Sequence, residues 1–246
     1  MEWLLLFIIG IGQRFVGTLA GSGGLISFPA MLLLGYPVHA AIAANKMSTT
    51  IGSFSGFLTL VKEKKADFRQ IVQIAPLAVI GGLCGGWITA VLSESTLKGV
   101  TVILLMLAFG LSFLKKKEQA LNGGKHRFSK KLYGTIFATS LYNGAFGPGQ
   151  GTILMQLLLR DGIPYLFAIG LKQISTFVSG AAAAVVFIVS GDMLWTLAIP
   201  LTLGSVVGAQ LALKVARYLS GKQVQWILRG FMVLLIAQVV IELVRG

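Results

Sequence analysis

The chain has 246 residues, of which 55% are hydrophobic and only 12% are charged, and its formal net charge is +13. A soluble domain normally carries about twice that share of charged residues, so the composition excludes a soluble fold. The excess of lysine and arginine would suggest a nucleic-acid partner in a soluble protein. Here these residues lie in short loops between apolar segments, as in the cytoplasmic loops of membrane proteins. We therefore expect a lipid bilayer around the chain and no nucleic acid.

Apolar segments follow one another along the whole chain, and a helix needs about 20 such residues to cross a bilayer. They cover residues 3–20, 25–34, 40–61, 71–92, 100–114, 132–159, 163–190, 193–213 and 224–244. The first segment lacks a basic n-region and leads directly into further apolar sequence, so we expect no cleavable signal. The pattern predicts an all-α integral membrane protein, a helical bundle of about eight transmembrane segments.

The charges of the loops predict a topology. Basic loops at 62–69, 115–131 and 214–222 are expected in the cytoplasm, and the neutral or acidic connections at 93–98, 160–161 and 191–192 outside. Two long apolar stretches lie between 131 and 191, where this topology needs an odd number of crossings, so one stretch is predicted to be re-entrant or broken. We predict a first membrane repeat (1–114), a basic cytoplasmic loop (115–131) and a second repeat of inverted orientation (132–246).

Self-comparison supports the duplication. A shift of 127 positions brings glycines, prolines and a Ser-Thr pair into one register, namely Gly17 with Gly144, Gly24 with Gly151, Gly35 with Gly162, Pro37 with Pro164, and Ser48-Thr49 with Ser175-Thr176. Chance agreement is easy among apolar residues and much harder for these residue types. We interpret the two halves as a repeat.

Two mirrored glycine-rich clusters are the strongest local feature. The first is Gly21, Ser22, Gly23 and Gly24, and the second is Gly147, Pro148, Gly149, Gln150 and Gly151. Glycine is poor in helix interiors, and the backbone groups freed by a helix break at membrane depth need a polar cavity or protein around them. The N–H groups that open the next half-helix then favour an anion. The alternative is close helix packing, which we favour for Gly82 with Gly86 and Gly204 with Gly208.

A polar run follows a Pro turn in each half. The candidate binding residues there are Asn45, Lys46, Ser48 and Thr49, mirrored by Lys172, Gln173, Ser175 and Thr176. A charged residue inside a membrane segment is costly and indicates function by default. The lysines could neutralise an anion to which the hydroxyls and amides donate hydrogen bonds, or they could snorkel to a headgroup. Arg14 is a further candidate with the same alternative.

The acidic residues argue for an anionic substrate. All eight Asp and Glu lie near segment ends or in loops, so cation transport and an internal proton relay are poorly supported. An intramembrane enzyme built on Ser22 and His39 lacks a group that would orient the pair. Cys84 stands alone in an apolar helix, as a packing residue does. No metal site, cofactor or catalytic residue is expected.

The two clusters also resemble a known family. Residues 15–26, followed by Pro29, residues 35–37 and Asn45-Lys46, resemble the first motif of the TauE/SafE sulfite exporter-like permeases. Residues 142–151, with Asn143 among them, are similar to the second motif, and the resemblance spans nearly the whole chain. It implies a multi-pass permease of the bacterial or archaeal plasma (inner) membrane that moves sulfite, sulfonates or related sulfur oxyanions, most often outward.

The chain also departs from this pattern. Many relatives carry an aspartate just ahead of each glycine-rich break, where this chain has Gly17 or a neighbour and Asn143. Without these aspartates, proton coupling through such acids does not carry over to this chain. Ser175 and Ser179 also stand where members often have asparagines. We predict a secondary transporter that works by alternating access, with a small anion bound between the two breaks. The sequence leaves open whether the protein forms a homodimer. The alternatives are a passive small-anion channel and a membrane scaffold without transport.

Overall fold

The structure, a computed structural model, describes residues 2–21, 23–63, 69–97, 99–100, 130–163 and 165–216. Within these ranges the chain forms eight long α-helices and no strand, which confirms the all-α prediction. They are α1 (Glu2–Ala20), α2 (Gly24–Leu33), α3 (Val38–Lys62), α4 (Arg69–Val91), α5 (Lys130–Ala145), α6 (Gln150–Arg160), α7 (Tyr165–Val189) and α8 (Trp195–Ala216). The predicted segment 224–244, the basic loop 115–131 and all but the first residue of segment 100–114 lie outside the described residues.

Helices of membrane-spanning length and composition are present. Four in the described part of the chain meet both criteria, over Glu2–Leu19, Val72–Val91, Phe167–Val189 and Trp195–Ala216. Large apolar side chains also face outward from them, with Val72 76% exposed and Val189 82% exposed. Monomeric soluble proteins rarely leave such extended apolar faces uncovered. These faces fit a lipid environment.

The predicted helix interruptions are confirmed. The single apolar stretch 132–159 divides into α5 and α6, and the residues between them, 146–149, form what we term the second break. Gly21 and Gly23, between α1 and α2, belong to what we term the first break. Gly21, Gly147 and Gly149 have φ values of 84°, 97° and 83°, a left-handed region in which glycine alone is free of Cβ strain. The backbone therefore leaves the helical path at both clusters.

The first four helices and the last four interlock in a paired pattern. α1 makes its most extensive contact with α8, and α5 makes its most extensive contact with α4. α3 packs against α8 just as α7 packs against α4, and α3 and α7 also contact each other. Each half thus places its first helix against the fourth helix of the other half. The arrangement brings α3 and α7, which carry the polar runs, to the middle of the bundle.

Glycines permit the closest of these contacts. A Cβ on Gly204 would lie 2.0 Å from the carbonyl oxygen of Phe7, and one on Gly208 would lie 2.3 Å from that of Ile11. In the other pair, a Cβ on Gly82 would lie 2.3 Å from the carbonyl oxygen of Ser179. Real Cβ atoms do not approach backbone this closely, so the helices meet along glycine surfaces. The packing role predicted for these glycine pairs is confirmed.

Gly204→Ala is expected to destabilise the protein while Gly12→Ala is tolerated. Overpacking of a tight contact costs about 1–3 kcal/mol, and at Gly204 the obstacle is backbone of α1, which cannot rotate away. A Cβ on Gly12, also on α1, would meet no atom within 4 Å, and alanine is the better helix former. Thermal unfolding in one detergent measures both. Equal melting temperatures for the two variants would contradict the close α1–α8 contact.

An ion pair ties the start of α3 to the segment that follows α4. His39 Nδ1 lies 2.6 Å from Glu94 Oε2, and the other carboxylate oxygen accepts the Val38 N–H at 2.5 Å. Burial raises the pKa of the Glu94 carboxyl, but the hydrogen bonds from His39 and Val38 outweigh it and hold that pKa below its usual value. His39 therefore has a structural partner, which a lone histidine after a proline turn does not reveal in the sequence.

Candidate functional site

Each helix break touches the first turn of the helix that follows the other break. A Cβ on Gly21 would lie 2.1 Å from the carbonyl carbon of Gly151, and one on Gly24 would lie 2.8 Å from the Cα of Pro148. Both approaches are backbone to backbone, so no side chain could occupy either position without separating the breaks. Two clusters more than a hundred residues apart in the chain therefore form one junction between the halves.

A small cavity lies at this junction. Its volume is about 40 Å³, and a single water needs about 10–15 Å³, so it has room for about three waters or one compact ion. Predicted binding residues supply most of its wall: Gly21, Gly23, Gly24, Asn45, Lys46, Thr49, Asn143, Gly147, Gln150, Gly151, Lys172 and Thr176. Gln13, Arg14 and Gly17 complete it.

The remaining predicted residues are near the cavity but do not line it, and Ser22 lies outside the described residues. The Ser48 hydroxyl accepts from Gln13 Nε2 at 2.6 Å and donates to the Leu201 carbonyl at 2.9 Å. The hydroxyl groups of Ser175 and Ser140 lie 3.4 Å apart. Gln173 accepts a hydrogen bond from Arg14, and Gly149 is the residue that precedes α6. The side chains of Ser48, Gln173 and Ser175 connect helices behind the cavity wall.

Each buried lysine lies against the interrupted helix of the opposite half. Lys172 Nζ, on α7, donates to the carbonyl oxygens of Gly17 at 2.6 Å and Thr18 at 2.8 Å, in the last turn of α1. Lys46 Nζ, on α3, donates to the carbonyl oxygen of Asn143, in the last turn of α5. The C-terminal end of a helix is the negative end of its dipole and carries unpaired carbonyls. Both ammonium groups are buried there, so neither side chain snorkels.

The second half-helices point their N-termini at the same cavity. Gly24 begins α2 and Gln150 begins α6, and both line the cavity wall. Gln150 is 2% exposed, its Oε1 accepts from Thr176 at 3.3 Å, and its Nε2 has no partner. A buried amide donor without an acceptor costs about 1–3 kcal/mol. An anion in the cavity would satisfy this donor and meet the positive ends of two helix dipoles.

The charge around the cavity is positive. Arg14, Lys46 and Lys172 line it, and the described lining residues include no aspartate or glutamate. The remaining polar groups are neutral amides and hydroxyls, such as Asn143, whose Nδ2 donates to Ser179 at 2.8 Å. Groups of three His, Cys, Asp or Glu side chains that could hold a metal do not occur within the described ranges. The arrangement is suited to a small anion.

Gln13 and Gly17 are missing from the set of site residues that the sequence predicts, and Arg14 is there only a further candidate. The sequence leaves open whether Arg14 snorkels, whereas the structure buries it at 4% exposure in the cavity wall. Gln13 and Gly17 are four residues apart and therefore lie on one face of α1, and Gly21 follows at the same spacing just after the helix ends. That periodicity, which ends at the break, is the signal that could have identified Gln13 and Gly17.

Comparisons with known proteins agree on one family. The model of the sulfite exporter TauE/SafE family matches residues 5–239. A probable membrane transporter protein of Haemophilus influenzae is 30% identical over 85% of this chain and 83% of its own length. One from Sinorhizobium sp is 28% identical over 86% of this chain and 82% of its own, and one from Escherichia coli is 23% identical over 84% and 78%. No solved structure matches.

Proposed function

The chain belongs to the sulfite exporter TauE/SafE family of membrane transporters, and we propose that it is a secondary transporter of small sulfur-containing oxyanions such as sulfite or organosulfonates. The observation that carries the proposal is the cavity between the two helix breaks. Its wall holds three buried cationic side chains, no described carboxylate and the N-termini of two half-helices. These features all lower the energy of an anion in a region where charge is otherwise costly.

The size of the cavity favours a compact substrate. A volume of about 40 Å³ has space for about three waters, and therefore for an anion of a few non-hydrogen atoms such as sulfite. An organosulfonate with a carbon chain needs the cavity to widen along one side. Within the substrate class we rank inorganic oxyanions ahead of organosulfonates.

Alternating access is the mechanism that the fold supports. The proposed architecture is two inverted repeats with about eight membrane segments, in the bacterial or archaeal plasma (inner) membrane. The reciprocal contacts of α1 with α8 and of α5 with α4 support two equivalent halves. The site lies at their junction, where movement of one half against the other would open it to either side in turn. Because each lysine contacts the opposite half, anion binding and that movement would be linked.

Binding is tested first, with the purified full chain in detergent. A ligand that binds only the folded state raises its stability with occupancy, so we expect the melting temperature to rise with sulfite or sulfate concentration. At about a hundred times the dissociation constant the gain is about 2.7 kcal/mol. Lys214→Gln, which removes an exposed cation on α8, is expected to respond like the wild type. No rise with any sulfur oxyanion, in a monodisperse sample, would refute the proposal.

Transport separates the proposal from its rivals. In vesicles containing the reconstituted protein, a carrier exchanges labelled for unlabelled sulfite with saturation, and unlabelled anion on the far side accelerates uptake. A passive channel shows no such acceleration. A scaffold binds without moving the anion, so binding without flux would leave only the membrane fold and the site.

A further inference from the structure

Arg14 is the one cavity cation that the internal repeat does not duplicate. The shift of 127 positions that aligns Gly17 with Gly144 places Leu141 opposite Arg14. The two lysines, by contrast, occupy nearly equivalent positions of the two halves. A residue needed to hold both half-helices would be expected in both repeats. The half-helices occur twice, but the site between them binds a single substrate. The unpaired position of Arg14 therefore suggests a role towards the substrate and not in holding the helices.

The guanidinium of Arg14 has a buried donor that the protein does not use. One of its nitrogens, Nη2, donates to Gln173 Oε1, and its Nε has no hydrogen-bond partner. In the described part of the chain no carboxylate pairs with Arg14, and the ion pair that occurs there joins His39 and Glu94. Lys46 and Lys172 donate instead to carbonyls at the negative ends of helices. The charge of Arg14 is thus compensated by a single neutral amide.

Two glycines on α3 make room for this pair. A Cβ on Gly52 would lie 3.0 Å from Arg14 Cδ and 3.1 Å from its Nε, and a Cβ on Gly56 would lie 2.5 Å from Gln173 Nε2. The glycines are four residues apart, so they lie on one face of the helix. The resulting notch holds the arginine side chain against α3, and the side chain belongs to the cavity wall. Arg14 is therefore built into the site.

We propose that Arg14 selects oxyanions over spherical anions by binding two oxygens of one substrate, with Gln173 holding the plane of the guanidinium. This inference rests on the proposed function and names the residue that sets its substrate class. A guanidinium offers donors in a flat fork that matches a pair of oxygens, whereas an ammonium acts as a point charge. A halide is spherical and has no oxygen atoms, so it would gain only the electrostatic attraction to the charge of Arg14.

The test uses Arg14→Lys, which keeps the charge and removes the fork. The dissociation constants of sulfate, sulfite and chloride are measured by calorimetry on the full chain, with Lys214→Arg as a control at an exposed site. For Arg14→Lys we expect the preference for oxyanions over chloride to fall about tenfold or more, the value of one charge-assisted hydrogen bond. An unchanged preference overturns the inference. A wild type that binds no anion overturns it together with the proposed function.

Gln173→Glu provides an independent test that does not weaken the fold. The substitution keeps the shape of the side chain and places a carboxylate beside Arg14, where it competes with the substrate. We expect the affinity for sulfate to fall at least tenfold while the melting temperature without anion stays the same or rises, because a buried cation gains a partner. A Gln173→Glu protein that binds sulfate as tightly as the wild type overturns the inference.

Discussion

Gly21→Ala is expected to reduce the rate of anion transport severely, because it separates the two helix breaks. The new Cβ would lie 2.1 Å from the carbonyl carbon of Gly151 and 2.3 Å from its oxygen, so the backbones would have to part by about 1 Å or more to reach van der Waals contact. A displacement of that size in a positioned site costs about a hundredfold in rate. Initial rates of labelled sulfite uptake into vesicles measure the effect.

Gly35→Ala is the matched control. Gly35 has a φ of 83°, nearly the same as the 84° of Gly21, but nothing lies within 4 Å of its would-be Cβ. Both substitutions therefore carry the same backbone strain, about 1–2 kcal/mol for a left-handed residue with a side chain. Only Gly21→Ala adds the collision with α6. If the two variants transported sulfite equally well, the junction of the breaks would not be the site.

The second large effect is expected for the lysines. Lys172→Met and Lys46→Met remove the ammonium and keep most of the side-chain volume. The buried carbonyls of Thr18 and Asn143 then lose the lysine donor, whereas the carbonyl of Gly17 keeps the N–H of Gly21 at 2.9 Å. Each unsatisfied carbonyl costs about 1–3 kcal/mol. Lys172→Met loses two hydrogen bonds to carbonyls and Lys46→Met loses one, so we expect the larger drop in melting temperature for Lys172→Met.

Both methionine variants are also expected to lose the stabilisation by sulfite or sulfate, since the cavity loses one of its three cations in each. Lys214→Met, at an exposed position of α8, should keep both stability and anion response. A lower melting temperature with a full anion response would mean that the lysines only cap helix ends. Unchanged transport in both variants would favour a role for the protein that needs no bound anion.

Much of the candidate site was predictable because helix breaks have a strong sequence signal. Several consecutive helix-poor residues inside an apolar segment are expensive for a membrane protein, and their recurrence at one spacing pointed to a junction. The polar runs were visible for the same reason, because Lys46 and Lys172 interrupt apolar helices. The structure brings these two signals to one cavity, with Asn45, Thr49 and Thr176 beside the lysines.

Other assignments depended on side-chain direction. Ser48, Gln173 and Ser175 belong to the same polar runs, yet they face neighbouring helices and not the cavity. A run of polar residues covers every side of a helix, at 3.6 residues per turn, so sequence alone cannot tell the inner face from the outer. The direction of Arg14 was open for a related reason, since a long side chain can reach either a lipid headgroup or the protein interior.

The sequence by itself determined that this protein is a helical membrane protein and where its helices are interrupted, and it predicts an anionic ligand. Those conclusions follow from local composition, because each segment must satisfy its own backbone in lipid whatever its neighbours are. Only the tertiary structure decided that each lysine lies against the half-helix of the other half, and that Arg14 is held in the notch of Gly52 and Gly56. Such contacts depend on how distant helices cross, and no local energy term along the chain encodes that choice.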